Sequence, residues 1–135
     1  MGKSEENNKD VESERTLVMS TLPKTWIFDL DGTILKHNGY KIDGIDTILE
    51  GAKEYLESIP QADHIVILTS RTDEYRDMTI AFLQKNGIRY DEIIFNIPYG
   101  ERIVVNDRKP SGLDMAFAVN LDRDRFDVPM IIREL

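Results

Sequence analysis

From Lys24 onward, short apolar runs alternate with stretches of helical period. Thr25-Trp26-Ile27-Phe28-Asp29-Leu30 is an apolar run that ends in acid and glycine, the pattern of a buried strand. Residues 33–45 place Gly39 and Gly44 among polar residues and read as a loop or tight hairpin. Beyond Asp46, apolar residues fall at Ile48, Leu49, Ala52, Tyr55, Leu56 and Ile59. That spacing predicts a helix, with Asp46 as N-cap and Pro60 as its stop. His64-Ile65-Val66-Ile67-Leu68-Thr69 predicts a second strand. A second helix, capped by Thr72 or Asp73, should run to about Asn86 and end on a left-handed Gly87. Further strands are expected at Glu92–Phe95, Arg102–Asn106 and Ala116–Asn120. Strands alternating with helices predict an α/β domain, a parallel sheet with helices on both faces. Ahead of it, residues 1–22 read as a disordered tail, since Ser4-Glu5-Glu6-Asn7-Asn8-Lys9-Asp10 can bury almost nothing. Leu17-Val18-Met19 could dock locally before Pro23 restarts the chain, and residues 23–135 form a single domain.

Composition narrows the chemistry. The chain has 135 residues, one domain's length, and no cysteine, which excludes disulfides, thiolate metal sites and cysteine nucleophiles. Its two histidines, His37 and His64, argue against a multi-histidine metal site. Seventeen basic against 25 acidic residues give a net charge of −8, which disfavours nucleic acid as a partner. No apolar run approaches the roughly 20 residues that span a bilayer, and residues 1–15 lack a signal peptide's apolar region. The expectation is therefore a cytoplasmic protein with no membrane partner.

Three apolar runs end in reactive groups: Asp29-Leu30-Asp31-Gly32-Thr33, Thr69-Ser70-Arg71 and Asn106-Asp107-Arg108-Lys109. In a parallel sheet these ends lie side by side, where ligands bind. Three carboxylates there repel one another, and a hard cation relieves the repulsion. Oxygen-only ligands favour Mg²⁺, and Mg²⁺ favours a phosphate substrate. Asp29 can attack phosphorus as a carboxylate nucleophile, and Asp31 can move the proton as general acid and base. Gly32 lets the backbone turn sharply beside the phosphate. Thr69 offers a hydroxyl to a phosphoryl oxygen, and a lysine would offset the remaining charge. Taken singly, Asp-x-Asp-Gly is also a turn or calcium-loop element, Thr-Ser-Arg a helix cap, and Asn-Asp a turn. Their order and shared position at strand ends favour a joint site. There is no Gly-x4-Gly-Lys and so no support for P-loop chemistry.

With those residues in view, Trp26-Ile27-Phe28-Asp29-Leu30-Asp31-Gly32-Thr33 resembles the first motif of the haloacid dehalogenase (HAD) superfamily. Ile65–Arg71 is similar to its second motif and Ile103–Asp107 to its fourth, over about residues 25–120. The resemblance implies a Rossmann-like three-layer sandwich, its mostly parallel sheet ordered 3-2-1-4-5 or similar. It implies Mg²⁺ held by the Asp29 carboxylate, the Asp31 carbonyl and the Asp107 carboxylate. It also implies phosphatase-type chemistry through an aspartyl-phosphate, because Asp31 marks that branch. Leu30, Gly32, Thr33, Ser70 and Arg71 are the candidate phosphate-binding positions, though Arg71 could instead pair with Asp73 or Glu74. His37 and Tyr40, in the 34–45 segment, could touch substrate.

Two departures from the family stand out. The third-motif lysine is missing from Asn96-Ile97-Pro98-Tyr99-Gly100, leaving Lys109, the preferred candidate, or Arg102 to replace it. Neither gap between motifs has room for a cap domain. An open site is expected, screened by residues 34–45 or by another subunit of a homo-oligomer. Asp107–Gly112 suggests a sugar phosphate as the small-molecule ester. Two other functions compete: a non-catalytic binding or regulatory module of the same fold, and a phospho-receiver domain. The order of the acidic residues, Asp-x-Asp before Thr69 and Asp107 after it, disfavours the receiver.

Overall fold

The computed structural model describes residues 16–134. Its elements are β1 (Thr16–Met19), β2 (Thr25–Asp29), a single helical turn α1 (Gly39–Ile42), α2 (Ala52–Ser58), β3 (His64–Leu68), α3 (Arg76–Lys85), β4 (Glu92–Ile94) and β5 (Met130–Arg133). A 3₁₀ turn, Asp73–Tyr75, leads into α3. The strands form a three-stranded sheet, β2-β3-β4, and a two-stranded ribbon, β1-β5, and every pairing is parallel. This is the α/β, Rossmann-like arrangement expected, without a cap domain among the described residues.

Alternation along the strands decides what is buried. Phe28, Ile65 and Ile67 point to one face and join Leu30, Ile34, Leu35, Leu56 and Leu83 in the core, with Trp26 and Ile93 packed against it. On the opposite face Ile27 and Ile94 are exposed. No helix among the described residues is long and apolar enough to cross a membrane.

Several boundaries differ from expectation. The helix predicted from Asp46 starts at Ala52, because Gly51 adopts φ 88° and resets the chain there. Asp46 is no N-cap; its buried carboxylate binds Arg71. The second helix is split into the 3₁₀ turn and α3, and Gly87 is left-handed as expected, with φ 66°. Of the tail expected over 1–22, Thr16–Met19 forms β1 on β5, while residues 1–15 lie outside the described residues. β5 had no sequence-level prediction.

The strands expected at 102–106 and 116–120 do not form. Ile103, Val104, Val105, Phe117 and Val119 are exposed in irregular chain. A β-branched run becomes a strand only when a neighbouring strand takes up its backbone hydrogen bonds, and neither segment has one.

Candidate active site

The parallel register aligns Asp29 with Leu68, and Leu68 with Ile94, so the last residues of β2, β3 and β4 share one rim. The chain leaves β2 through a tight turn. Thr33, Ile34 and Leu35 all donate their N–H to the Leu30 carbonyl, at 3.2, 2.9 and 3.0 Å. Gly32 closes the turn with φ +85°, a conformation that disfavours any side chain. Asp124 N–H donates to the Gly32 carbonyl at 2.8 Å, and His37 N–H to the Asp124 carboxylate at 2.7 Å. The distant 122–125 segment therefore braces the turn.

Asp29 is left partly open at the end of β2. Its Oδ2 accepts from Thr33 Oγ1 at 3.2 Å, and its Oδ1 pairs with Arg102 Nη1 at 3.1 Å. The carboxylate keeps a 39% exposed side chain. The carboxylate thus stands between a hydroxyl and a guanidinium, both able to bind an anion's oxygens. Of the two cations expected from the sequence, Arg102 is the one in contact with Asp29. Lys109 is exposed in a turn tied by its N–H to the Leu113 carbonyl, 2.9 Å, and by Gly112 N–H to its own carbonyl, 2.7 Å.

Asp31 is held differently. Arg71 Nε and Nη2 donate to its two oxygens at 3.0 and 2.8 Å. The same guanidinium binds Asp46, with Nη2–Oδ1 at 2.7 Å and Nη1–Oδ2 at 3.1 Å, and Thr79 Oγ1 at 2.9 Å. Burial works against the Arg71 charge, but the bonds to Asp31 and Asp46 more than offset it and raise its pKa above the ordinary value. Arg71 was a candidate for binding substrate or for pairing with Asp73 or Glu74; it instead joins Asp31 to Asp46. Asp73 pairs with Arg76 at 2.7 Å.

The remaining positions sort by exposure. Leu30 is core, its carbonyl taken up by the turn. Thr69 is buried, and its hydroxyl accepts from Arg71 N–H at 3.1 Å, so the side chain braces its own loop and is not presented to a ligand. Ser70 is partly exposed, with Oγ 3.4 Å from the Pro98 carbonyl. His37 contributes its backbone N–H, while Tyr40 stacks on Arg71 with the guanidinium 4.0 Å from the ring centre. Burial raises the Tyr40 phenol pKa, against the pull of Arg71.

Asp107 does not join Asp29 and Asp31. It is exposed in the irregular segment, touched by Asn106 Nδ2, and lines an open pocket with Arg108, Asp114 and Met115. Among the described residues no group of three His, Asp or Glu side chains is placed to hold a metal ion. The Mg²⁺ set expected from the sequence therefore does not fit this arrangement. Asp29 faces Thr33 and Arg102, Asp31 faces Arg71, and Asp107 stands apart.

Asp46 and Tyr40 as partners of Arg71 were missed by sequence reasoning. A polar residue just ahead of a helical stripe looks like a cap, and nothing local shows that a residue 25 positions away holds it.

No protein-family model matches the chain, and no curated protein matches it. A chain in the solved Pnkp1/Rnl/Hen1 complex is similar at 29% identity over 62% of this chain, with a TM-score of 0.48. The match spans 31% of that chain's length.

Proposed function

We propose that this chain is a phosphomonoester hydrolase of the HAD type in which Asp29 is the nucleophile. The observation that carries the reading is the Asp29 carboxylate, open at the carboxyl end of β2 between Thr33 Oγ1 and the Arg102 guanidinium. An Asp29 oxygen forms a bond to phosphorus as the ester P–O bond breaks. Arg102 shifts to the phosphoryl oxygens as negative charge builds on them. Asp31 accepts a proton from the water that hydrolyses the aspartyl-phosphate and, so protonated, gives it to the leaving oxygen of the next substrate, so the proton is returned over each cycle. Arg71 occupies one lone pair on each Asp31 oxygen, and a carboxylate offers about four such sites, so Asp31 retains acceptor capacity for that proton. The open Asp29 carboxylate suits a small phosphate ester such as a sugar phosphate.

The test is phosphate release from a generic aryl phosphate and from a panel of sugar phosphates, each with Mg²⁺ and with chelator. Many turnovers per protein, abolished in Asp29→Asn with the fold intact, are expected, and the Mg²⁺ and chelator arms read whether a metal takes part. Asp29→Asn retaining near wild-type turnover would sink the assignment. Release limited to one phosphate per protein would replace it with the phosphoacceptor or regulatory reading.

A further inference from the structure

We propose that Asp46 and Arg71 are positioning residues that lock the Asp31 carboxylate and the 36–46 loop into one unit, an inference that rests on the phosphatase reading of the site. An arginine carries five N–H donors. In Arg71 each finds an acceptor: two on Asp31, two on Asp46 and one on Thr79. The side chains of Arg71 and Asp46 are 1% and 2% exposed, whereas Asp31 is 19% exposed toward the rim. No donor on Arg71 is left for a phosphate. Its rigid fork instead fixes the distance and tilt between two carboxylates, one facing the site and one buried behind it.

The loop is bound to the same unit. The Tyr40 ring covers the guanidinium at 4.0 Å and meets Tyr75 edge-on at 5.0 Å. At the loop's base, Lys36 N–H donates to the Thr47 carbonyl and Leu49 N–H to the Ile34 carbonyl, both at 2.9 Å. Both Asp46 carboxylate oxygens accept from Arg71, so the influence of Asp46 on Asp31 passes through that guanidinium. A reacting group held in its productive orientation by packed partners speeds the chemical step, with less effect on binding.

The experiment compares wild type with Asp46→Asn, which keeps the side-chain shape and one oxygen acceptor, and with Arg71→Lys, which loses the fork. For Asp46→Asn we expect kcat on an aryl phosphate to fall about 10–100-fold with KM within about threefold. Amide exchange should quicken in residues 31–48 while β3 and α3 stay protected. Arg71→Lys should lose at least as much kcat, and the double variant should lose far less than the product of the two. If Asp46→Asn does not fold, Thr79→Val, which removes one of the five bonds, should show the same kcat-selective loss at smaller size. Unchanged kcat per folded molecule overturns the proposal, as does faster exchange spread over the whole chain. Should the wild type itself show no turnover, the phosphatase reading falls and the exchange comparison alone decides the lock, overturning it if residues 31–48 are unaffected.

Discussion

Replacing Arg102 with alanine separates a surface ion pair from a group that acts on the reaction. The guanidinium lies 3.1 Å from Asp29 Oδ1, but the two side chains are 34% and 39% exposed. A pair so solvated contributes at most about 1 kcal/mol to folding. For a domain of this size, Arg102→Ala should thus lower Tm by only about 2–6 °C. Its effect on catalysis is of another order. If Arg102 meets the charge that develops on the transferring phosphoryl group, its loss costs about 3 kcal/mol, or roughly a hundredfold in rate. Lys109→Ala, which removes an exposed side chain from a turn held by backbone bonds, should stay within a few-fold of wild type. Steady-state kinetics on an aryl phosphate, paired with thermal melts, read both quantities on one preparation. A hundredfold loss in Lys109→Ala beside near wild-type kinetics in Arg102→Ala would show that the contact on Asp29 is only a surface pair and that the lysine supplies the cation.

Other outcomes follow from the packing. Asp63→Ala removes a buried acceptor shared by Trp26 Nε1 at 2.9 Å, Lys24 N–H at 3.0 Å and Arg133 Nη2 at 2.5 Å, and should cost about 3 kcal/mol in urea denaturation. Burial pushes the Asp63 carboxyl up, but the bonds from Arg133, Trp26 and Lys24 outweigh it and hold the pKa below its ordinary 3.8. Its stabilisation is whole above pH 3.8 and lost as pH falls through the lowered folded value, so the acid-induced drop in urea midpoint should be smaller in Asp63→Ala. His64 behaves oppositely: the Glu92 hydrogen bond raises its pKa, so its contribution is full below pH 6.5 and fades as pH rises through the folded value. His64→Gln should flatten that part of the stability profile. In Gly32→Ala, a methyl at φ +85° meets Arg123 Cγ at 3.2 Å, and a loss of about 1–2 kcal/mol together with reduced turnover is expected from melts and kinetics.

The parts of this molecule legible in its sequence are those governed by local pattern. β2, β3, β4 and α3 follow from apolar runs and helical spacing within a few residues, and Gly87 marks a helix end through its own backbone freedom. Asp29, Asp31 and Thr33 are adjacent in sequence, so a strand ending in a glycine turn suffices to bring them together. Asp46, Tyr40 and Arg102 owe their places to contacts across 25, 31 and 73 positions, which no local pattern encodes. Arg102 shows the difficulty well: counted along a supposed strand it starts at the far end from the site, yet without that strand its side chain reaches Asp29. β5 escaped notice because Met130-Ile131-Ile132-Arg133 is too short to stand out until β1 lies beside it.

The β1-β5 ribbon also bears on how the molecule would carry load. Thr16 opposes Met130 and Met19 opposes Arg133, so the strands run side by side in the same direction. A tension applied at Thr16 and at Arg133 would pull them from opposite ends and slide one along the other. All the hydrogen bonds between them would then be loaded together in shear, rather than opened one at a time as in a zipper. Arg133 is clasped to the body by Asp63, and the Tyr55 hydroxyl donates to the Pro129 carbonyl at 2.7 Å just before β5, so the ribbon's anchor is fastened to the core. Pulled along this axis in a single-molecule instrument, the described chain should resist as a clamp and yield in one abrupt step. Pulled from Thr16 against Met130, at the same end of the ribbon, it should peel apart at much lower force.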